Sequence, residues 1–139
     1  MSDLEANKAL VRRYQEAYNT NSLDALDDLL APDIVTPTRL PGFPSGLEGI
    51  KQVHRLTVEA WPDYHTEIED LVAEGDKVVA RVTHIGTAVN PGFGLPGSGN
   101  PFRVNAIYIV RIANGKIVEH TGVEDVQSLI RQIRATPTG

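Results

Sequence analysis

The sequence predicts a single α+β domain over residues 1–139, in which a curved antiparallel sheet packs on N-terminal helices around a cone-shaped apolar pocket. Apolar residues recur at helical spacing as far as Trp61, and from Tyr64 onward they alternate with a period of two. A length of 139 residues with 41% hydrophobic residues suits one domain with one core. Helices followed by a series of long strands indicate an α+β fold, and not a wound parallel sheet.

Three helices are predicted in the first half of the chain. The first is amphipathic and covers about residues 4–18. The second begins after Ser22, a good N-cap residue, and ends near Pro32, before a short extended piece at Ile34-Val35. The third covers about residues 47–61 and is stopped by Pro62, because proline cannot continue a helix.

Four strands and a last helix are predicted after Pro62. The strands cover about residues 64–73, 77–87, 102–112 and 116–123, and the helix covers about residues 124–134. Asn114-Gly115 predicts a type I′ hairpin turn between the last two strands, because both positions of that turn need positive φ angles. The segment from Val89 to Pro101 is rich in Gly and Pro, and long loops of this kind often cover a site.

The composition disfavours several classes of function. A net charge of −5 and the lack of a Lys- or Arg-rich run argue against nucleic-acid binding. The chain has no cysteine, and its four histidines lack the spacing of a metal motif. No apolar run is long enough to span a membrane, and the acidic start is unlike a signal peptide. We therefore expect a cytoplasmic protein that uses no metal.

The pairing of the last two strands decides which side chains share a face. In the ideal register set by the two-residue turn, Tyr108 pairs with Thr121, and His120 then points to the opposite face. A one-residue bulge would instead bring Tyr108 and His120 to the same face. Both registers are open at this point.

Five segments, spread over nearly the whole chain, match a known family pattern. They are Asn7–Tyr14, Gly46–Ile50, Trp61–His65, Val72–Val79 and Asn114–His120, of which the last is the most specific. These segments resemble the SnoaL-like polyketide cyclase and ester cyclase family. The resemblance implies the fold of the nuclear-transport-factor-2-like superfamily, which also includes ketosteroid isomerases, limonene epoxide hydrolases and scytalone dehydratases. It further implies ring closure of a polyketide by intramolecular aldol condensation, without cofactor or metal.

The resemblance also implies a set of pocket positions, matched from the Asn-Gly-Lys turn. A family histidine on the third long strand falls at Tyr108, and the family's acid/base aspartate on the fourth strand falls at Gly122. A second family histidine matches His120, while a family glutamine and a family asparagine fall at Ala106 and Thr36. Because Gly122 has no carboxylate, the family's standard mechanism does not carry over to this chain.

Two residues are the candidate catalytic groups. His120 titrates near neutrality and is able to take a proton from a carbon next to a carbonyl, or else it is a strand histidine bonded to the backbone. Tyr108 is able to donate a hydrogen bond to an enolate oxygen, or else it only packs in its strand. His54, Trp61 and Asp63 are candidate substrate contacts, with core packing and turn capping as the alternatives.

Two functions are consistent with these residues. The first is a cofactor-independent cyclase, isomerase or dehydratase-type lyase that acts on a small apolar carbonyl compound, with His120 as base and Tyr108 as hydrogen-bond donor. The second is a non-catalytic protein that binds a small apolar ligand and has lost the family's aspartate at Gly122.

The third long strand also predicts self-association. Val104 and Val110 lie on one of its faces and Ile107 and Ile109 on the other, so one cavity cannot cover both sets. We expect a homodimer in which the sheets of two copies pack together.

Overall fold

The computed structural model describes residues 3–37 and 40–136 of the chain. In chain order the elements of these residues are α1 (Asp3–Asn19), a 3₁₀ helix (Leu23–Ala25), α2 (Leu26–Leu29), β1 (Leu30–Val35), α3 (Gly46–Ala60), β2 (His65–Glu74), β3 (Lys77–Thr87), β4 (Pro101–Ala113), β5 (Lys116–Glu124) and α4 (Val126–Arg134). The α+β fold class is confirmed, and each of the four long strands begins and ends within one residue of its predicted bounds. None of these helices is long and apolar enough to cross a membrane.

The strands of the described residues form one sheet in the order β1-β5-β4-β3-β2. The four long strands are antiparallel neighbours, as predicted. The prediction of a wholly antiparallel sheet is wrong for β1, which runs parallel to β5 with Leu30 opposite Ile117. The chain between β1 and β5 passes through α3 and three strands, and a connection of this length allows two paired strands to run in the same direction.

The second predicted helix is shorter than its apolar spacing indicates. It consists of the 3₁₀ helix and α2, and Leu30 is already extended, with φ −115° and ψ 142°. Pairing with β5 buries the Leu30 side chain, so sheet formation overrides helical spacing at this point. The extended piece predicted at Ile34-Val35 is the end of the longer β1.

The core lies between the inner face of the sheet and α1. Alternate residues along β4 are buried, as expected for a sheet with one covered face. The sheet contributes Val78, Ala80, Val82, Val110 and Ile112, and α1 contributes Leu10, Val11 and Tyr14. Full burial of a side chain such as Val11 stabilises the fold by roughly 1.5–3 kcal/mol, so this contact fixes α1 on the sheet.

The turn between β4 and β5 has the geometry that its sequence predicts. Asn114 and Gly115 have φ angles of 52° and 75°. Asparagine and glycine are the residues that adopt such angles at least cost, so the hairpin is fixed locally.

A bulge follows shortly after this turn. Ile112 pairs with Ile117, whereas Arg111 pairs with Glu119, so Val118 is an extra residue in β5. Of the two registers that the sequence leaves open, the structure has the bulged one.

The bulge sets the face of the residues that follow it. Tyr108 lies opposite Gly122, and Val110 lies opposite His120. Because directly paired residues share a face, His120, Gly122 and Glu124 point to the same inner side of the sheet as Tyr108.

The outer face of the sheet has an exposed apolar patch among charged side chains. Val72, Ile107, Ile109 and Val123 are exposed large apolar side chains of this patch, and Val79 of β3 pairs with both Val72 and Ile109. Such a contiguous apolar surface is unusual on a protein that stays monomeric.

Candidate active site

A cavity of about 700 Å³ lies between the inner face of the sheet and the helices that cover it. This volume is in the range of sites for small ligands. Most of the lining is apolar, and from the sheet it includes Phe102, Val104 and Ala106. Thr36 lines the cavity from the segment after β1, and Trp61 lines it from the end of α3.

The segment between β3 and β4 forms one wall of this cavity. Phe93 and Leu95 line the cavity, and the Phe93 ring lies 5.4 Å from the Trp61 ring. Asn90 attaches the segment to the end of α3, because its backbone N–H donates to Ala60 O at 3.0 Å and its side-chain amide donates to Glu59 O at 2.9 Å. The predicted covering loop is thus held in place over the site.

A chain of hydrogen bonds fixes the Tyr108 hydroxyl in the interior. It donates to Gln15 Oε1 at 3.0 Å, and Gln15 Nε2 donates to Asn19 Oδ1 at 3.3 Å. The Asn19 amide in turn donates to Thr66 O at 2.8 Å and accepts from Thr66 N–H at 2.9 Å. Burial raises the pKa of Tyr108 above its ordinary value, so its hydroxyl remains protonated and able to donate.

The His120 imidazole stacks on the Tyr108 ring, with the ring centres 4.7 Å apart and an interplanar angle of 26°. It also meets the edge of Tyr14 at 6.0 Å. Burial lowers the pKa of His120 to about 4, so the imidazole is neutral at pH 7 and able to accept a proton.

Gly122 provides the space for this stacking. A Cβ atom at Gly122 would lie 3.2 Å from Tyr108 Cβ and 3.7 Å from His120 Cε1. A side chain at this position would therefore crowd Tyr108 and come into contact with His120.

A second polar cluster lies on the same inner face, where β3 and β5 flank β4. Thr66 Oγ1 and His84 Nδ1 are hydrogen-bonded at 2.7 Å, and His84 Nε2 lies 3.6 Å from Glu124 Oε2. Burial, with a smaller effect from His120, lowers the pKa of His84 to about 4. Burial also raises the pKa of Glu124 above its ordinary value.

The charges of the cavity lining are few. Among the described residues that line it, Glu124 is the only carboxylate, and none is Lys or Arg. No group of three or more His, Asp or Glu side chains in residues 3–37 and 40–136 is arranged to hold a metal ion.

Six of the residues singled out from the sequence line the cavity. They are Thr36, Trp61, Ala106, Tyr108, His120 and Gly122. His54 and Asp63 are not among its lining residues. His54 Nε2 is hydrogen-bonded to Asn21 Oδ1 at 2.9 Å, and the Asp63 carboxylate accepts from the Thr87 backbone N–H and hydroxyl at 2.8 and 2.7 Å. The buried position of His54 agrees with core packing, whereas Asp63 bonds to the end of β3 and not within its own turn.

His84 and Glu124 are two of the polar cavity residues that were missed from the sequence. His84 has no partner visible in the sequence, yet the period-two alternation of β3 places it in phase with Val82, which is buried. Glu124 was predicted to begin the last helix, whereas it is the last residue of β5. That extension of the strand carries its side chain to the cavity.

The chain is similar to known proteins in family pattern, in sequence and in structure. The chain matches the family model described as "SnoaL-like polyketide cyclase" over residues 8–133. It is 29% identical over 130 residues to aklanonic acid methyl ester cyclase DnrD of Streptomyces peucetius, and the aligned region covers 89% of this chain and 88% of that protein. It is 28% identical over 120 residues to nogalonic acid methyl ester cyclase of Streptomyces nogalater, and the aligned region covers 84% of this chain and 89% of that protein.

Solved structures of other proteins share the fold of this chain over more than nine-tenths of its length. TsrD from Streptomyces laurentii has a TM-score of 0.87 at 34% identity, with 98% of this chain and 100% of that chain covered. IdmH from Streptomyces antibioticus has a TM-score of 0.83 at 30% identity, with 93% and 99% covered.

Proposed function

Because the chain belongs to the SnoaL-like polyketide cyclase family, we propose that it is a cofactor-independent enzyme that closes a ring in a small polyketide-like carbonyl compound. The observation that carries this proposal is the stacked pair of His120 and Tyr108 in an apolar cavity of about 700 Å³. An isomerase or a dehydratase-type lyase would use the same first step, the removal of a proton next to a carbonyl.

In this proposal His120 is the base and Tyr108 supports the enolate. The neutral imidazole takes the proton from the carbon, and the electron pair of the broken C–H bond passes to the carbonyl oxygen. The Tyr108 hydroxyl donates a hydrogen bond to the oxygen as its negative charge develops. The Tyr108 hydroxyl donates to Gln15 Oε1 in the structure. The substrate oxygen would replace Gln15 Oε1 as the acceptor of this O–H, or share the O–H with it.

A linear diketone whose carbonyls are separated by three methylene groups tests this proposal in two readouts. In deuterated water, enolisation appears as deuterium uptake next to a carbonyl, and ring closure appears as a six-membered cyclic product. The alternative function, a non-catalytic binding protein, is favoured by the missing carboxylate at Gly122. A chain that binds the diketone without accelerating either process would support that alternative and overturn the catalytic one.

The lining also supports a class of ligand without negative charge. The curated relatives are named as cyclases of methyl esters. Among the described lining residues Glu124 has the only carboxyl group, and none is Lys or Arg. The buried Trp61 indole N–H has no partner among the described residues, so a neutral oxygen acceptor of a ligand would satisfy it.

We expect methyl naphthoate to bind at least about tenfold more tightly than naphthoate at neutral pH, because a carboxylate in this cavity has no described counter-charge. Calorimetric titration of both compounds measures the difference. Naphthalenemethanol, which is also neutral, serves as the control and should resemble the ester. Equal affinity of ester and acid would contradict this substrate class.

We also propose that two copies of the chain pair through the outer face of the sheet. Light scattering at micromolar concentration should give twice the 15.1 kDa mass of one chain. Ile109→Glu should shift the mass to that of a monomer, because it places a charge in the centre of the apolar face. Leu56→Glu changes an equally exposed apolar residue on α3 and should remain dimeric. A monomeric wild-type chain would refute the pairing.

A further inference from the structure

Glu124 has a position that the proposed function leaves unused. It lies at the last residue of β5, on the inner face and two residues beyond Gly122. Its side chain is 41% exposed, so it stands where the cavity opens to solvent. No other described lining residue has a carboxyl group, so Glu124 is the one among them that offers such a group to a bound molecule.

His84, the neighbour of Glu124, is held by a hydrogen bond and by ring stacking within the protein. His84 Nδ1 is bonded to Thr66 Oγ1 at 2.7 Å, and its Nε2 faces the Glu124 carboxylate at 3.6 Å. The His84 ring also stacks on Tyr64 with centres 5.6 Å apart. The Nδ1 atom is thus engaged by a protein group, and the Nε2 atom lies beside the Glu124 carboxyl at a distance too long for a hydrogen bond.

We propose that Glu124 is the general acid of this cavity and that it protonates the oxygen on which charge appears when the ring closes. The inference rests on the proposed function, which supplies the enolate. It assigns to this chain a carboxylate at a different place from Gly122, where the family pattern has its aspartate.

The ring closure then balances as two proton transfers. His120 takes a proton from carbon, and the enolate carbon forms a bond to the second carbonyl carbon. The π electron pair of that carbonyl becomes an alkoxide, which takes the proton of the Glu124 carboxylic acid. The turnover leaves a protonated His120 and an ionised Glu124. His120 then loses its proton to solvent, and Glu124 takes a proton from solvent at the open side of the cavity, so both groups return to their starting forms.

The environments of the two groups agree with these roles. Burial lowers the pKa of His120 and raises that of Glu124, so the first favours its proton-accepting form and the second its proton-donating form. The titratable groups that face Glu124 are His84 from β3, Tyr18 from α1 and Tyr64 from the segment before β2. None of the three is a cation at neutral pH, since the pKa of His84 is also lowered.

Glu124→Gln tests the inference with the linear diketone. Ring closure should fall by roughly 10²-fold, while deuterium uptake should stay within about twofold of wild type, because only the second proton transfer is lost. In wild type the ring-closure rate should also fall as pH rises through the Glu124 pKa. This decrease in the pH–rate profile should be absent in Glu124→Gln.

Glu119→Gln is the matched control. Glu119 lies on the same strand, is 39% exposed and faces Arg111 at 3.5 Å on the outer side, so both readouts should match wild type. Equal ring closure by wild type and Glu124→Gln would overturn the inference and leave the proposed function in place. Loss of deuterium uptake in Glu124→Gln would overturn the assignment as acid and make Glu124 the base. A wild-type chain without either activity would overturn both proposals.

Discussion

Replacement of His120 by alanine is expected to slow deuterium uptake into the linear diketone by roughly 10²–10⁴, the contribution typical of one positioned base. The imidazole stacks on Tyr108 and lies in the cavity, and burial keeps it unprotonated at neutral pH. The wild-type rate should fall as pH decreases through about 4, where His120 takes up a proton, and this dependence should disappear with the side chain.

The folded state should survive this change, so circular dichroism and thermal unfolding accompany the rate measurement. His65→Ala removes an exposed histidine that is not among the cavity-lining residues and should leave the rate unchanged. An His120→Ala chain that is folded and as fast as wild type would end the catalytic interpretation and favour the binding protein.

Tyr108→Phe is expected to slow deuterium uptake by roughly 10–10³, because it removes one hydrogen bond to developing charge and retains the ring. The stacking with His120 should persist, so the loss reports on the hydroxyl alone. The same change leaves the Gln15 Oε1 atom without its donor, which should lower the free energy of unfolding by about 1–3 kcal/mol in urea denaturation.

Tyr18→Phe provides the comparison for Tyr108→Phe. Tyr18 also lines the cavity, but its ring packs on His54 at 4.1 Å. Removal of its hydroxyl should cost less activity than removal of the Tyr108 hydroxyl. Equal losses in the two variants would show that the Tyr108 hydroxyl has no special role with the enolate.

The long strands and the hairpin could be predicted because their signals are local. β4 alternates over thirteen residues, and Asn114-Gly115 encodes its own turn. β1 has no such signal, since its buried and exposed residues do not alternate. Its pairing with β5 joins Leu30 to Ile117, far along the chain, and only the assembled sheet makes the extended form favourable there.

The candidate site divides along the same line. His120 and Tyr108 could be found from residue type and family pattern, but no residue near Val118 signals the bulge that brings them to one face. Glu124 was missed because the last helix was predicted to begin at about residue 124. In the structure β5 extends to Glu124, and α4 begins at Val126. Element ends are set by capping and tertiary contacts together, here with Asp125 accepting from the Ser128 N–H at 3.0 Å.

The bulge at Val118 makes the tolerance of β5 to changes in length uneven. Deletion of Val118 would straighten the strand and keep the pairing beyond it, so His120, Gly122 and Glu124 would still face inward. Deletion of Thr121 would instead turn Gly122 and Glu124 to the outer face, since side chains alternate with a period of two. β5 can therefore lose a residue at Val118 and keep its cavity side chains facing inward, whereas a loss at Thr121 reverses Gly122 and Glu124.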